Sequence, residues 1–240
     1  MSKFKKQDEL YLNRRKKFSQ ELGKQEIFEI ADHFGLYSGM QTIGRFLFTY
    51  EILKKTIEIP GDIVEFGCWK GSNLLFMAKV LSLLQPNSLK QIYAFDSFEG
   101  LQTFSEQDGR DVKEKFKSTY IGNEEVIRKC LQVYDMESWV TLVVGNALKT
   151  IEKFENENKH VMFSLAYIDF DLYTPCMKAL EFSHRNLSIG GYIVLDEALT
   201  NEWKGEGQAL KEFLEQNKGC YEMISNHISR QPTVVLKRIM

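Results

Sequence analysis

Ile63-Val64-Glu65-Phe66-Gly67-Cys68-Trp69-Lys70-Gly71-Ser72 follows Pro60-Gly61-Asp62 and leads into Leu74-Leu75-Phe76-Met77-Ala78. A short apolar run ends in an acid, two glycines frame a turn, and a helical apolar pattern opens. That order spells strand, tight turn, helix, the place where an α/β sheet receives a nucleotide-like ligand. Gly67 lets the backbone turn sharply, and Gly71 lets the helix begin close to the strand and to a ligand. The pattern is Glu-x-Gly-x-x-x-Gly rather than Gly-x-Gly-x-x-Gly, and it offers no lysine for a phosphate as a P-loop would. Taken alone, the stretch is also compatible with an ordinary glycine-containing βα turn.

Outward from this turn, short β-rich runs alternate with helical stretches. The expected strands are 62–66, 91–95, 140–144, 164–169, 191–196 and 233–237, with helices near 71–84, 123–134, 147–155, 174–187 and 206–216. Such alternation predicts a doubly wound, mostly parallel Rossmann-like α/β sheet, with ligands at the carboxyl ends of the strands. Cys220–Ile224 and Pro232–Leu236 lie close in sequence and are expected to pair as an antiparallel C-terminal edge hairpin. Residues 1–60 read as an N-terminal helical cap, a lid or dimer arm, on a core of residues 61–240. Within it, residues 1 to about 22 read as a charged helix, and Ile43, Phe46, Leu47, Tyr50 and Leu53 are expected to line one face of a later one.

With 240 residues, 43% hydrophobic and 27% charged, and a net charge of −2, the chain suits one well-buried α/β core with an added cap. The near-neutral charge argues against a nucleic-acid partner, which needs a concentrated basic surface. No apolar run has the roughly 20 residues of a membrane span, and the basic N-terminus lacks an apolar signal core. A cytoplasmic protein without a membrane partner is the expectation. Cys68, Cys130, Cys176 and Cys220 are scattered without metal-binding spacing and are expected as reduced thiols.

The strand ends carry the chemistry. A carboxylate at Glu65 suits a cationic or amine-bearing ligand better than a pyrophosphate, and S-adenosylmethionine (SAM), with its sulfonium and amino group, fits. Asp96 ends the second strand, placed to accept hydrogen bonds from a ribose diol. Asn146, after the third, is placed to reach an adenine edge. Ser72 and Ser97 flank these positions and complete the expected cofactor set. The fourth strand ends in Asp169-Phe170-Asp171 and the fifth in Asp196-Glu197. Carboxylates crowded at one rim repel unless a cation or protons compensate, and hard oxygen ligands favour Mg²⁺ over zinc. Asp169, Asp196 and Glu197 are the favoured ligands; the other reading has these acids capping the following helices.

Four strings now stand in order: Pro60–Gly71, Phe95-Asp96-Ser97-Phe98-Glu99-Gly100-Leu101, Ile168–Tyr173 and Gly190–Glu197, continued by Trp203-Lys204-Gly205-Glu206-Gly207-Gln208-Ala209. Their combination resembles the macrocin O-methyltransferase (TylF/MycF-like) family over roughly residues 40–215. The resemblance implies a class I, SAM- and Mg²⁺-dependent O-methyltransferase acting on a hydroxyl of a sugar, nucleotide sugar or glycosylated metabolite. It implies Asp169, Asp196 and Glu197 as metal ligands, with Asp169 as general base and Asp171 its close competitor. Glu65, Gly67, Gly71 and Asp96 would hold SAM. The family usually has Asp-Asp where this chain has Asp196-Glu197, and Asp where it has Asn146. A catechol-type O-methyltransferase and a non-catalytic SAM-binding protein of the same fold are the alternatives. Self-association into a homo-oligomer is also expected.

Overall fold

The computed structural model describes residues 27–240. The charged helix expected over 1–22 lies outside the described residues. Residues 1–43 and 44–240 form separate compact units. In the first, short helices α1 (Ile27–Asp32) and α2 (Phe34–Tyr37) precede a buried Gly39. Helix α3 (Met40–Thr56) begins there and runs into the second unit.

The second unit continues β1 (Asp62–Phe66), α4 (Ser72–Leu84), β2 (Ile92–Asp96), a 3₁₀ turn (Glu106–Asp108), α5 (Arg110–Phe116), α6 (Glu124–Val133) and β3 (Val140–Val144). Then come α7 (Ala147–Glu157), β4 (Phe163–Ile168), α8 (Tyr173–Asn186), β5 (Leu187–Leu195), α9 (Lys204–Gln216), β6 (Tyr221–Ile224) and β7 (Val234–Arg238). The sheet order is β3-β2-β1-β4-β5-β7-β6. Strands β1 to β5 pair in parallel, while β7 pairs antiparallel with both β5 and β6. The expected edge hairpin is present.

Strand β4 is buried at all six positions, as befits a central strand covered on both faces. Its alternate residues feed two cores. Ala166 and Ile168 face α7, α8 and α9, with Phe66, Phe95, Phe154, Phe163 and Phe182 packed among them. Leu165 and Tyr167 face α3, α4 and α6, with Phe48, Ile52, Leu74, Met77, Ile127 and Leu131. Both faces of the sheet are therefore sealed, and the free space lies beyond the strand ends. β1 and β4 are neighbours, and their outgoing connections leave in opposite directions, to β2 on one side and β5 on the other. That divergence is the switch point at which α/β sheets open a crevice.

Two sequence expectations shift. The face of α3 that packs inward carries Gly44, Phe48, Thr49, Ile52, Leu53 and Thr56, leaving Leu47 52% exposed. Small and hydroxyl residues share that stripe, so counting large apolar side chains rotated the expected face. β5 begins at Leu187, four residues before the expected start at 191, because the chain passes through Gly190 at φ 83° with a shift in its register against β4. Among the described residues no helix is long and apolar enough to cross a membrane.

Candidate active site

The turn after β1 is shaped by its neighbour. Gly67 adopts φ 84°, and a Cβ there would stand 2.0 Å from the carbonyl oxygen of Asp169. Gly67 thus needs to be glycine for the close approach of β1 to the end of β4, where Asp169 N donates to Phe66 O at 2.8 Å. Gly71 adopts φ 74° and faces Ile127 of α6, with which a Cβ would collide at 2.8 Å. Its role is packing of helix on helix, and Ser72 beside it is exposed at the start of α4.

A cavity of about 300 Å³ opens beyond these strand ends. Gly67, Asp96, Ser97, Asn146, Asp169, Asp171, Asp196 and Glu197 all line it; Glu65, Gly71 and Ser72 do not. Asp96 accepts from Trp69 N and Phe98 N, each at 2.7 Å, and so stitches the β1 turn to the β2 loop. Asn146 caps α7 by accepting from Leu148 N at 3.0 Å and donates to Thr103 Oγ1 at 3.3 Å. Ser97 accepts from Glu99 N at 3.2 Å.

Glu65 lies buried behind the turn. Its Oε1 accepts from Asn73 Nδ2 at 2.8 Å, Asn73 in turn accepts from Thr49 Oγ1 at 2.9 Å, and Oε2 has no partner. Burial pushes the Glu65 carboxyl up to about 8, against the Asn73 hydrogen bond that favours ionisation. An orphaned buried oxygen next to a ligand-sized cavity fits a positively charged guest, as SAM is.

The acidic rim is denser than expected. Asp169, Asp171, Asp196 and Glu197 are joined by Glu206 of α9, whose Oε1 accepts from Glu197 N at 3.1 Å while its buried Oε2 has no partner. Burial comes first in raising all five carboxyls. Asp196 and Asp171 add repulsion at Asp169, Glu197 and Asp196 add it at Asp171, and Glu197 is pushed up to about 7. Asp171 does not cap the next helix: α8 is preceded by Leu172 with no side-chain cap, and Tyr173 N donates instead to Asp108 Oδ1 at 2.7 Å. Asp171 sits at φ 62°, an uncommon backbone for a side chain other than glycine.

Sequence reasoning missed Arg45. Its Nη2 donates to Asp196 Oδ1 at 2.9 Å and reaches Asp169 Oδ2 at 3.5 Å. Tyr167 OH donates to the same Asp196 oxygen at 2.7 Å, and Gln231 Nε2 donates to Glu197 Oε1. Burial works against the Arg45 charge, but Asp196, Tyr167 and Asp169 outweigh it and hold the guanidinium above its usual pKa. The available signal was one arginine between Ile43 and Phe46 in an otherwise apolar run. Among the described residues no three His, Cys, Asp or Glu side chains stand close enough together to hold a metal ion. The donors match a hard divalent cation in kind, and Arg45 currently engages two of them.

An aromatic wall faces the acids. Trp69, Tyr120 and Trp203 line the cavity, Phe116 lies behind Trp203 with tilted rings and centroids 4.6 Å apart, and Tyr120 meets Trp203 at 6.1 Å and Trp69 at 5.6 Å. Trp69 adopts φ 47° and donates from Nε1 to Ile121 O at 3.2 Å; a Cβ on Gly122 would stand 2.4 Å from Trp69 O. Burial and the neighbouring Asp171 push the Tyr120 phenol up to about 12.

The chain is 25% identical over 144 residues to the demethyldecarbamoylnovobiocin O-methyltransferase of Streptomyces niveus, covering 58% of this chain and 53% of that one. It is 26% identical over 144 residues, with the same coverage, to 8-demethyl-8-(2,3-dimethoxy-alpha-L-rhamnosyl)-tetracenomycin-C 4'-O-methyltransferase of Streptomyces olivaceus. The match thus spans about half the length of these curated relatives. In fold it is similar to the calicheamicin methyltransferase CalS11, with a TM-score of 0.80 at 22% identity over 94% of this chain and 91% of that one. The O-methyltransferase NovP gives a TM-score of 0.67 at 21% identity, covering 82% and 81%. Residues 45–228, the span that holds β1 to β6 and every residue of the acidic rim, match the macrocin-O-methyltransferase (TylF) family, and the chain belongs to it.

Proposed function

We propose that this protein is a SAM-dependent, Mg²⁺-assisted O-methyltransferase whose acceptor is a hydroxyl of a sugar or nucleotide sugar. The observation that carries the reading is the contact between the cofactor turn and the acidic rim. Asp169 N donates to Phe66 O at 2.8 Å, so the turn expected to hold the methyl donor and the carboxylate expected to receive the acceptor's proton are adjoining backbone. SAM supplies a methyl group already activated by its sulfonium. Asp96 and Asn146 face the part of the cavity suited to ribose and adenine, while Glu65, neutral in the ligand-free protein, lies behind the turn and would ionise as a cationic guest binds.

An alcohol is a poor nucleophile at neutral pH, so its proton must leave as the oxygen–methyl bond forms. Asp169 accepts that proton in this reading, and Asp171 is the alternative acceptor on the same loop. Asp169, Asp196 and Glu197, drawn closer together than they now stand, would hold Mg²⁺, which when bound would supply acidification of the hydroxyl. The chain's remaining work is alignment of oxygen, carbon and sulfur, with the aromatic wall fixing the acceptor from the far side.

Support for a sugar acceptor comes from the relatives' names. One methylates a rhamnosyl group at its 4' position, and CalS11 is described as a TDP-rhamnose 3'-O-methyltransferase. The wall of Phe116, Tyr120 and Trp203 favours a second reading, an aromatic diol of the catechol type. The reading also includes a cytoplasmic location, with all four cysteines free. It assigns residues 1–60 as a lid or dimer arm on a core of 61–240, which light scattering of a truncated chain tests.

The deciding assay is transfer of labelled methyl from SAM to a panel of nucleotide sugars and catechols, with and without EDTA. Sugar methylation lost in EDTA is the expected result. Turnover of catechols alone selects the second reading, full activity in excess EDTA removes the metal, and no SAM binding in calorimetry removes the activity altogether.

A further inference from the structure

The acids at the rim already touch a cation, and it belongs to the chain. Arg45 sits on α3 with its side chain 33% exposed, and one nitrogen serves both Asp169 and Asp196. Asp196 is far more enclosed, at 3% side-chain exposure, and its Oδ1 also takes the hydroxyl of buried Tyr167. With two donors on that oxygen, its capacity to accept is filled. These are the carboxylates that a divalent ion would need, and a guanidinium and a metal dication repel when they share oxygens.

We propose that Arg45 is a built-in counter-cation that holds Asp169 and Asp196 when no metal is bound and is displaced from them as the ion loads. Divalent-cation affinity is then set by competition with residue 45. This rests on the metal-assisted reading above. The contact with Asp169 is the looser one, 3.5 Å against 2.9 Å, so the exchange starts there. Arg45 keeps an outlet, because a third of its side chain already meets solvent at the cavity edge. Tyr167 stays behind, buried within the sheet core, and continues to orient Asp196 through either state. The arrangement prevents the rim from standing as bare repelling carboxylates.

The test measures Mn²⁺ binding to the full chain by the electron paramagnetic resonance of free Mn²⁺, independent of turnover. Wild type, Arg45→Gln and Arg45→Lys are compared, with circular dichroism to establish that each is folded. Arg45→Gln should bind Mn²⁺ about tenfold or more tightly than wild type, the scale of one charge-assisted hydrogen bond removed from the competing state. Arg45→Lys, a point charge without the planar fork, should fall between them. Equal or weaker Mn²⁺ binding by Arg45→Gln, with wild type binding normally, overturns this inference and leaves the metal reading standing. Loss of SAM affinity in Arg45→Gln at unchanged Mn²⁺ affinity overturns it as well and assigns the arginine to the cofactor. Absence of Mn²⁺ binding in all three proteins overturns both the inference and the metal reading.

Discussion

Replacing Glu65 by glutamine should stabilise the ligand-free protein at pH 7 while weakening SAM binding. The buried carboxyl is raised from 4.5 to about 8, so the folded chain holds its proton while the unfolded chain releases it. A carboxyl raised in this way contributes its stability below about pH 4.5, and that contribution is lost as pH rises toward about 8. At pH 7 the loss amounts to roughly 3 kcal/mol, since the unfolded chain is largely ionised and the folded chain is not. Glutamine cannot ionise, and it keeps an oxygen for Asn73 Nδ2. Its buried amide group takes the place of unpartnered Oε2, which costs about 1–2 kcal/mol. A net gain of about 1–2 kcal/mol remains, or roughly 2–8 °C in Tm for a unit of this size. At pH 5 the gain should vanish or reverse, because Glu65 is then close to neutral in the folded chain and only partly ionised in the unfolded one. Thermal melts at both pH values read the difference. Calorimetry at pH 7 in buffers of different ionisation heat should also show proton release when wild type binds SAM, and none for Glu65→Gln. A Tm difference independent of pH, or unchanged SAM affinity, would refute the assignment of a neutral Glu65 that ionises as the cofactor binds.

Three further outcomes are expected. Asp169→Asn should lower kcat by about two to four orders of magnitude, the scale of losing a general base. SAM affinity should stay near normal; an active variant would move the base to Asp171. Gly67→Ala forces a Cβ to 2.0 Å from Asp169 O at φ 84°, so it should lower Tm and not merely remove SAM binding; an unchanged melt would contradict that contact. Trp203→Ala should raise KM for the acceptor several-fold with little effect on that for SAM, measured in steady-state assays, since its ring stands in the aromatic wall.

The layered sheet was legible because strand ends and turn residues coincide in this chain. Gly67 marks the end of β1, and the expected strands 62–66 and 140–144 match Asp62–Phe66 and Val140–Val144. The strand expected at 164–169 is β4, Phe163–Ile168, legible because a central strand needs apolar residues on both faces. Residues 101–122 resisted reading: α5, Arg110–Phe116, is seven residues long, with only Val112 buried in it. The crowding of acids was visible from Asp169-Phe170-Asp171 and Asp196-Glu197, because parallel neighbours must end at one rim. Its countercharge was not. Arg45 lies 124 residues before Asp169 in a helix that shows no polar periodicity, and Glu206 reads as an ordinary first-turn acid. Long-range pairs of single side chains leave no local pattern. Gly71 and Ser72 were placed near the ligand by their motif, whereas the structure gives Gly71 to helix packing against Ile127.

The latch between Trp69 and residues 121–122 bears on how such a site can diversify. Trp69 belongs to the cofactor turn by its backbone and to the aromatic wall by its ring, and Gly122 is held to the smallest side chain by Trp69 O. A substitution at 121 or 122 that reshapes the wall therefore also tilts the turn that Asp96 and Gly67 organise. Phe116 and Trp203 carry no such double duty among the contacts described above, whereas Tyr120 meets the Trp69 ring. On the proposed reading, acceptor preference can drift through α5 and the segment before α9 while the donor pocket stays intact, so libraries aimed at new acceptors should spare Trp69, Tyr120 and Gly122 and vary Phe116 and Trp203.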